Sequence, residues 1–75
     1  MHVVDVIGLA EETLGYPRFP QELVARREWC AENCPSRFQI EPVRDAGMRL
    51  VGRRFVFASV VEAVHFKLRF DTKLR

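Results

Sequence analysis

The fold prediction depends mainly on residues 52–70, which read Gly-Arg-Arg-Phe-Val-Phe-Ala-Ser-Val-Val-Glu-Ala-Val-His-Phe-Lys-Leu-Arg-Phe. Its first part, Phe55-Val56-Phe57, is aromatic and β-branched, which is typical of a strand. Ser59 is followed three residues later by Glu62, the capping-box pattern that begins a helix. The stretch therefore predicts a strand that leads directly into a helix, and the rest of the chain has to cover that unit.

The end of this helix has two interpretations. We extend the helix to about Arg69, but polar and apolar residues alternate from His65 to Phe70, as they would in a closing strand after a shorter helix. If the whole segment is helical, Lys67 interrupts a broad apolar face. That face contains Val60, Ala63, Val64, Phe66, Leu68 and Phe70.

A hairpin is expected immediately before the helix. Residues 37–41 alternate in polarity, which predicts a half-buried strand, and Pro42 restricts that strand to an edge or an end. Residues 44–47 have turn chemistry. A short strand at 48–50 before Gly52, and a second one at 54–58, complete the hairpin, with Phe55 and Phe57 on one face and Val56 on the other.

The first third of the chain predicts a strand and then a helix. The β-branched segment from His2 to Ile7 is interpreted as a strand, and residues 9–14 as a helical turn. Residues 16–20 contain two prolines and are expected to form an extended connector. The main helix is expected from Pro20 to Asn33, because proline suits a first helical turn and Pro35 prevents continuation.

This main helix has an apolar stripe that one arginine interrupts. Arg27 falls within the stripe, so its charged end is expected to extend to solvent. Trp29 falls nearly opposite and is expected either to be covered by Tyr16 and Phe19 or to face solvent. The stripe contains Leu23, Val24, Cys30, Ala31 and Cys34.

The order of elements is therefore β-α-β-β-α, the split β-α-β or ferredoxin-like arrangement. We predict an α+β fold with an antiparallel sheet and two helices on one face, forming a single compact domain over residues 1–75. A chain of this length buries only about 60% of the surface that its unfolded form exposes. A core this small favours a homodimer or docking onto a larger partner.

Composition limits the classes of function. Residues 1–37 carry 4 Arg and 6 Asp/Glu (4 − 6 = −2), and residues 38–75 carry 8 Lys/Arg and 4 Asp/Glu (8 − 4 = +4), giving the net charge of +2. Neither a secretory signal nor an apolar run of about 20 residues is visible. We expect a cytoplasmic protein without a membrane partner, and its basic second half leaves nucleic acid or an acidic protein as possible ligands.

Little in the sequence favours catalysis, a metal or a cofactor. Cys30 and Cys34 lie four residues apart on one helix, whereas structural zinc sites usually place cysteines in knuckle turns. We interpret both as small buried apolar residues. His65 has no serine or cysteine nucleophile in an identifiable pattern beside it, and Glu62 is better explained as a cap. We therefore predict a non-enzymatic protein with no catalytic residue, no metal and no cofactor.

An RNA- or single-strand-binding domain is the alternative. The RNA-recognition motif shares this element order and has a third strand with basic, glycine and aromatic residues whose rings stack on bases. Along residues 51–58 only Gly52, Phe55 and Val56 fit that pattern. Phe55 would have to face solvent in this alternative, whereas packing under the helices is the simpler expectation.

A second resemblance covers residues 28–70. Trp29-Cys30 followed by Cys34, a Phe-x-Phe hairpin and the sequence Glu-Ala-Val-His-Phe-Lys-Leu-Arg-Phe at 62–70 resemble small phage and prophage accessory proteins. The resemblance implies a compact protein that inhibits or redirects host machinery, as anti-CRISPR proteins do. It carries no active site over to this chain.

Together these observations predict an interaction protein, a phage-type inhibitor that binds a host nucleoprotein complex and blocks it sterically. The residues expected to bind the protein partner are Trp29, Arg49, Arg53 and Arg54, because aromatic and arginine side chains dominate binding energy at interfaces. A small nucleic-acid-binding domain and a structural homodimer or subunit of a larger complex are the alternatives.

Overall fold

The structure, a computed structural model, describes residues 1–70, which form six elements. They are β1 (His2–Ile7), α1 (Glu11–Leu14), α2 (Arg18–Asn33), β2 (Phe38–Arg44), β3 (Leu50–Phe57) and α3 (Val60–Arg69). The predicted α+β class is confirmed. The expected helical turn in residues 9–14 is present as α1, a single turn ahead of the long helix α2.

The three strands form an antiparallel sheet in the order β1-β3-β2. Strand β1 pairs with β3 from His2 opposite Phe57 to Ile7 opposite Gly52. Strand β2 lies on the other side of β3, with Phe38 also opposite Phe57. The first and second strands are thus parallel neighbours of a central third strand, the arrangement of a split β-α-β, ferredoxin-like unit.

The core lies between one face of this sheet and the two long helices. Phe55 and Phe57 of β3 are fully buried, and their rings lie 4.7 and 5.3 Å from that of Phe66 on α3. Cys30 of α2 is buried in the same cluster. Successive strand residues point to opposite faces, so the prediction that Phe55 and Phe57 face the helices and Val56 does not is confirmed.

Gly52 lies inside β3, and the expected division of this segment into two short strands is wrong. A Cβ atom at residue 52 would lie 2.4 Å from the carbonyl oxygen of Val6 on the neighbouring strand. Glycine here permits close approach of β1 and β3 rather than ending a strand. The hairpin turn is formed by residues 45–48, where the Asp45 carboxylate accepts hydrogen bonds from the backbone N–H groups of Gly47 and Arg49.

Helix α2 begins at Arg18, and the extended connector expected at residues 16–20 is absent. The backbone N–H of Phe19 donates to the carbonyl of Gly15 (2.8 Å), and the Tyr16–Pro17 peptide bond is cis. Pro17 therefore directly precedes the helix and Pro20 lies in its first turn, so neither belongs to an extended segment. Phe19, expected on a connector, is buried in the core because it belongs to the first turn of α2.

The arginine that enters the buried side of α2 is Arg26, not Arg27. Arg26 is 2% exposed, donates to the Glu22 carboxylate (2.7 Å) and lies over the ring of Phe70 at 4.7 Å, while Arg27 is exposed. A ring and an ion pair let a buried guanidinium replace an apolar residue. The buried side consequently runs through Phe19 and Cys30, and Val24 and Ala31 of the expected stripe are exposed.

Helix α3 ends at Arg69, so the interpretation with a helix over the whole segment is confirmed for the described residues. Ser59 caps it by accepting the N–H of Glu62 (3.5 Å). The alternative, a shorter helix followed by a closing strand from His65 to Phe70, is wrong, because the helix continues through these residues to Arg69. Only part of the expected apolar face is buried: Ala63 and Phe66 contact the core, whereas Val60, Val64 and Leu68 are exposed.

Candidate interaction site

The four residues predicted to bind a partner lie on different surfaces. Arg53 and Arg54 are neighbours on β3 and therefore point to opposite faces of the sheet. Trp29 lies on α2 in the helical layer, and Arg49 follows the hairpin turn. The structure brings none of these four side chains together, and each has a separate local environment.

Trp29 closes one end of the core. Its ring contacts those of Phe66 and Phe70 edge-on, with both centroid distances at 5.9 Å. The side chain is half-buried, so the expectation that it faces solvent or is covered by Tyr16 and Phe19 is wrong. Aromatic pairs of this geometry add to the free energy of folding beyond the area that they bury, which gives Trp29 a role in stability.

Arg53 faces the helices and links the sheet to the segment between β1 and α1 through a hydrogen bond. Its Nη1 atom donates to the carbonyl of Leu9 at 3.2 Å, and its guanidinium lies 4.9 Å from the centroid of the Phe19 ring. Burial lowers the pKa of the Arg53 guanidinium. Because its donors and its flat face are used inside the protein, Arg53 contributes to the fold more than to an external surface.

Arg54 lies on the other side of the sheet, which no helix covers in the described part of the chain. Its Nε and Nη2 atoms donate to the two carboxylate oxygens of Asp5 at 2.6 and 3.1 Å. This hydrogen bond, more than the opposite charge, holds the pKa of the Asp5 carboxyl below its ordinary value. The two side chains remain 42% and 37% exposed, so the ion pair is accessible to a partner.

We call this uncovered side the open face. It combines branched apolar residues with charged residues of both signs. Val3 and Ile7 are about half exposed, at 53% and 45%, whereas Val56 at its centre is buried by its surroundings. Alternation along the strands assigns its residues. They are Val3, Asp5, Ile7, Gln39, Glu41, Val43, Arg54 and Val56, with Arg37 at one end.

Arg49 forms a solvent-exposed ion pair. Its Nη2 atom lies 2.9 Å from a carboxylate oxygen of Glu12 on α1, and the two side chains are 69% and 68% exposed. The hydrogen bond that Arg49 donates to the Glu12 carboxylate raises the pKa of Arg49. Exposed pairs of this kind contribute little to stability because solvent and salt screen them, and this one lies away from the open face.

The two cysteines are free and buried, as predicted. Burial raises the pKa of the Cys30 thiol to about 12 and also raises that of Cys34. The nearby Glu62 carboxylate accepts the backbone N–H of Ser36 at 3.3 Å instead of completing the capping box on its own helix. Thiols with raised pKa values are poor nucleophiles at neutral pH, so this cluster has a packing role.

Two further surface features were not predicted from the sequence. Tyr16 is 90% exposed beside a hollow of about 460 Å³ that includes Pro20 and Val24 of α2. A second hollow, of about 310 Å³, lies between β1 and α3. In the sequence, only the valines of α3 point to the second hollow. Their helical spacing is the same as that of core residues, so the sequence does not show that they stay exposed.

Within residues 1–70, no group of three or more His, Cys, Asp or Glu side chains is arranged to hold a metal ion. No helix of this part of the chain is long and apolar enough to span a bilayer. Comparisons with family models, with curated proteins and with solved structures gave no significant match. The geometry of the open face and of the β1–α3 side is therefore the basis for a functional proposal.

Proposed function

We propose that this protein is a non-enzymatic interaction protein that docks through its open face onto a larger protein surface. The observation that carries the proposal is an uncovered sheet face in which exposed Val3 and Ile7 flank the accessible Arg54–Asp5 pair. An arginine held by a carboxylate is already ordered before binding, so less side-chain entropy is lost when a partner is engaged. Its guanidinium keeps donors that Asp5 does not use.

The charges of the open face favour a protein over a nucleic acid. Arg37 and Arg54 are balanced there by Asp5 and Glu41. A nucleic-acid site requires excess positive charge and, for single strands, exposed rings on which bases stack. Phe55, on which the RNA-binding alternative depended, is fully buried against the helices.

The finer proposal is a phage-type inhibitor, anti-CRISPR-like, that blocks a host nucleoprotein complex by occupying a protein surface of that complex. The resemblance of residues 28–70 to phage accessory proteins supports this part. The size of the domain supports it as well, since 8.7 kDa is large enough to obstruct a binding groove. Inhibition would be steric and would require no chemical step.

The test compares Arg54→Ala with Arg49→Ala, two arginines that both form exposed ion pairs. The chain and each variant are expressed in a bacterium whose CRISPR system targets a plated phage. Binding of the same purified effector ribonucleoprotein is measured by surface plasmon resonance. We expect protection of the phage by the wild type and by Arg49→Ala, and at least about tenfold weaker binding for Arg54→Ala.

Two results would contradict the proposal. The first is a folded protein that neither protects phage nor binds any effector complex from the CRISPR types tested. The second is tight binding of single-stranded RNA that weakens steeply with salt, which would instead support the nucleic-acid alternative.

A further inference from the structure

The apolar side chains that the fold leaves exposed are concentrated on one side of the molecule. Of the ten large apolar residues that are exposed, seven belong to the first strand, to α3 or to the residue that precedes β1. These seven are Met1, Val3, Ile7, Val60, Val61, Val64 and Leu68. Four of them, Met1, Val3, Val60 and Val64, line the hollow between β1 and α3. An exposed apolar area of this kind is typical of an interface, and we call the surface formed by the seven residues the edge surface.

The edge surface contains a free strand edge. Within residues 1–70, no strand pairs with the outer side of β1. The N–H of Gly8 donates to the carbonyl of Val51 on β3, and antiparallel pairs alternate, so the even-numbered residues of β1 bond to β3. The backbone groups of Val3, Asp5 and Ile7 therefore point outward. β1 has no proline, lysine or bulge that would prevent pairing with another strand.

From these features we infer that the edge surface binds a second copy of this chain, with β1 pairing antiparallel to its counterpart about a twofold axis. Only outward-pointing residues can form the hydrogen-bonded pairs. An axis at Asp5 would place two aspartates directly opposite each other, which is destabilising. An axis at Val4 places Asp5 opposite Val3 of the second copy, pairs residues 2–6 of the two strands and avoids any like-charge pair.

The same twofold axis also places the two copies of α3 at a normal packing distance. α3 contacts both β1 and β3, so its axis lies above the space between them. Strands are about 4.8 Å apart, which places α3 about 5 Å from the twofold axis and the two α3 helices about 10 Å apart. This separation matches the 8–10 Å at which helices pack. One twofold axis therefore gives both a normal distance between the two β1 strands and a normal distance between the two α3 helices.

The side chains of α3 can also pack against those of α3 in the second copy. Val64 and Val4 line the same hollow, so an axis at Val4 brings Val64 close to Val64 of the second copy. In that antiparallel register Val60 faces Leu68, and Lys67 faces Val61 rather than another lysine. The two copies would form a six-stranded sheet whose open faces are continuous, and the surface proposed to bind the larger partner would be doubled.

The experiment is light scattering on the full chain at micromolar concentration, with variants at exposed positions. We expect a particle of twice 8.7 kDa for the wild type. Val64→Glu places two carboxylates at the axis and should raise the dimer dissociation constant more than about a hundredfold. Val24→Glu is the matched control, because both valines are 47% exposed on helices and Val24 lies on α2, away from the edge surface.

Two additional variants test the register. Val3→Pro removes an outward N–H without removing a bond to β3, so it should yield folded monomers. An equimolar mixture of Val64→Glu and Val64→Lys should associate although neither variant does alone. A wild-type monomer, or a dimer that survives both Val64→Glu and Val3→Pro, would overturn the inference. A wild-type chain that is monomeric and still binds the effector complex would overturn this inference alone and leave the proposed function intact.

Discussion

The two faces of the sheet place neighbouring arginines of β3 in opposite situations. Arg53, on the helix side, is held by a backbone carbonyl and an aromatic ring, and it joins the connection after β1 to the core. Arg54, on the open face, is held by the Asp5 carboxylate alone and remains accessible. Arginine content therefore cannot by itself locate an exposed surface, because alternation along a strand directs one residue towards the helices and its neighbour towards the open face.

The largest expected effect lies on the helix side. Phe66 is fully buried, and its ring contacts those of Phe55, Phe57, Phe70 and Trp29. Phe66→Ala should cost about 3–5 kcal/mol in the free energy of unfolding, enough to unfold much of a small domain. Urea denaturation followed by circular dichroism measures it. His65→Ala, at an exposed position of the same helix outside the edge surface, is the control and should change little.

The next effect concerns the contact between β1 and β3. Gly52→Ala introduces a methyl group 2.4 Å from the Val6 carbonyl oxygen, where only backbone atoms could move aside. We expect a loss of about 1–3 kcal/mol or more. Gly47→Ala, whose added carbon would lie 3.4 Å from the Asp45 carboxylate, provides the comparison. Equal stability of the two variants would show that β1 and β3 can separate without cost.

The arginine pair itself gives a smaller difference. Arg53→Ala leaves the carbonyl of the buried residue Leu9 without that donor and exposes Phe19, so about 1–3 kcal/mol should be lost. Arg54→Ala removes an ion pair that solvent screens, so the loss of stability should be smaller. Urea denaturation of both variants in the same buffer measures the two losses in the free energy of unfolding. If Arg54→Ala proved the more destabilising, the assignment of the two faces would be wrong.

The smallest effect is a dependence on pH. Because the Arg54 hydrogen bond lowers the pKa of Asp5 in the folded protein, the unfolded chain binds its proton first as the pH falls. The contribution of Asp5 is therefore fully present above the unfolded value of 3.8 and is lost as the pH falls through the folded pKa. Urea midpoints in acid should fall less steeply for Arg54→Ala than for the wild type, and parallel curves would contradict the pairing.

Helix and strand types were predictable because their signals are local. The capping serine at residue 59, the β-branched first strand and the turn chemistry near Asp45 act over three or four residues. The entry to α2 was not predicted, because two prolines in residues 16–20 locally favour an extended segment, whereas Phe19 belongs to the first turn of the helix and is buried in the core. The role of Gly52 depends on a strand 45 residues earlier (52 − 7 = 45) that lies directly against it.

The candidate site was predictable only in its residue types. The sequence indicated that arginines and apolar residues would remain exposed, but Trp29 and Arg53 are held by contacts that form only when the helices pack. Arg26 shows the same limit, since a buried arginine is tolerated only because Glu22 and the ring of Phe70 lie beside it. Sequence position alone cannot distinguish it from Arg27.

The sequence by itself determined the α+β class, the order of the elements and the burial of Phe55 and Phe57, because these follow from local propensity and from period-two alternation. The tertiary structure alone decided which arginine faces outward, which valines of α3 stay exposed and that β1 forms an edge. These properties depend on how separate segments cover one another. In residues 52–70 the aromatic side chains belong to the core, whereas Arg54 and the valines of α3 remain exposed to solvent.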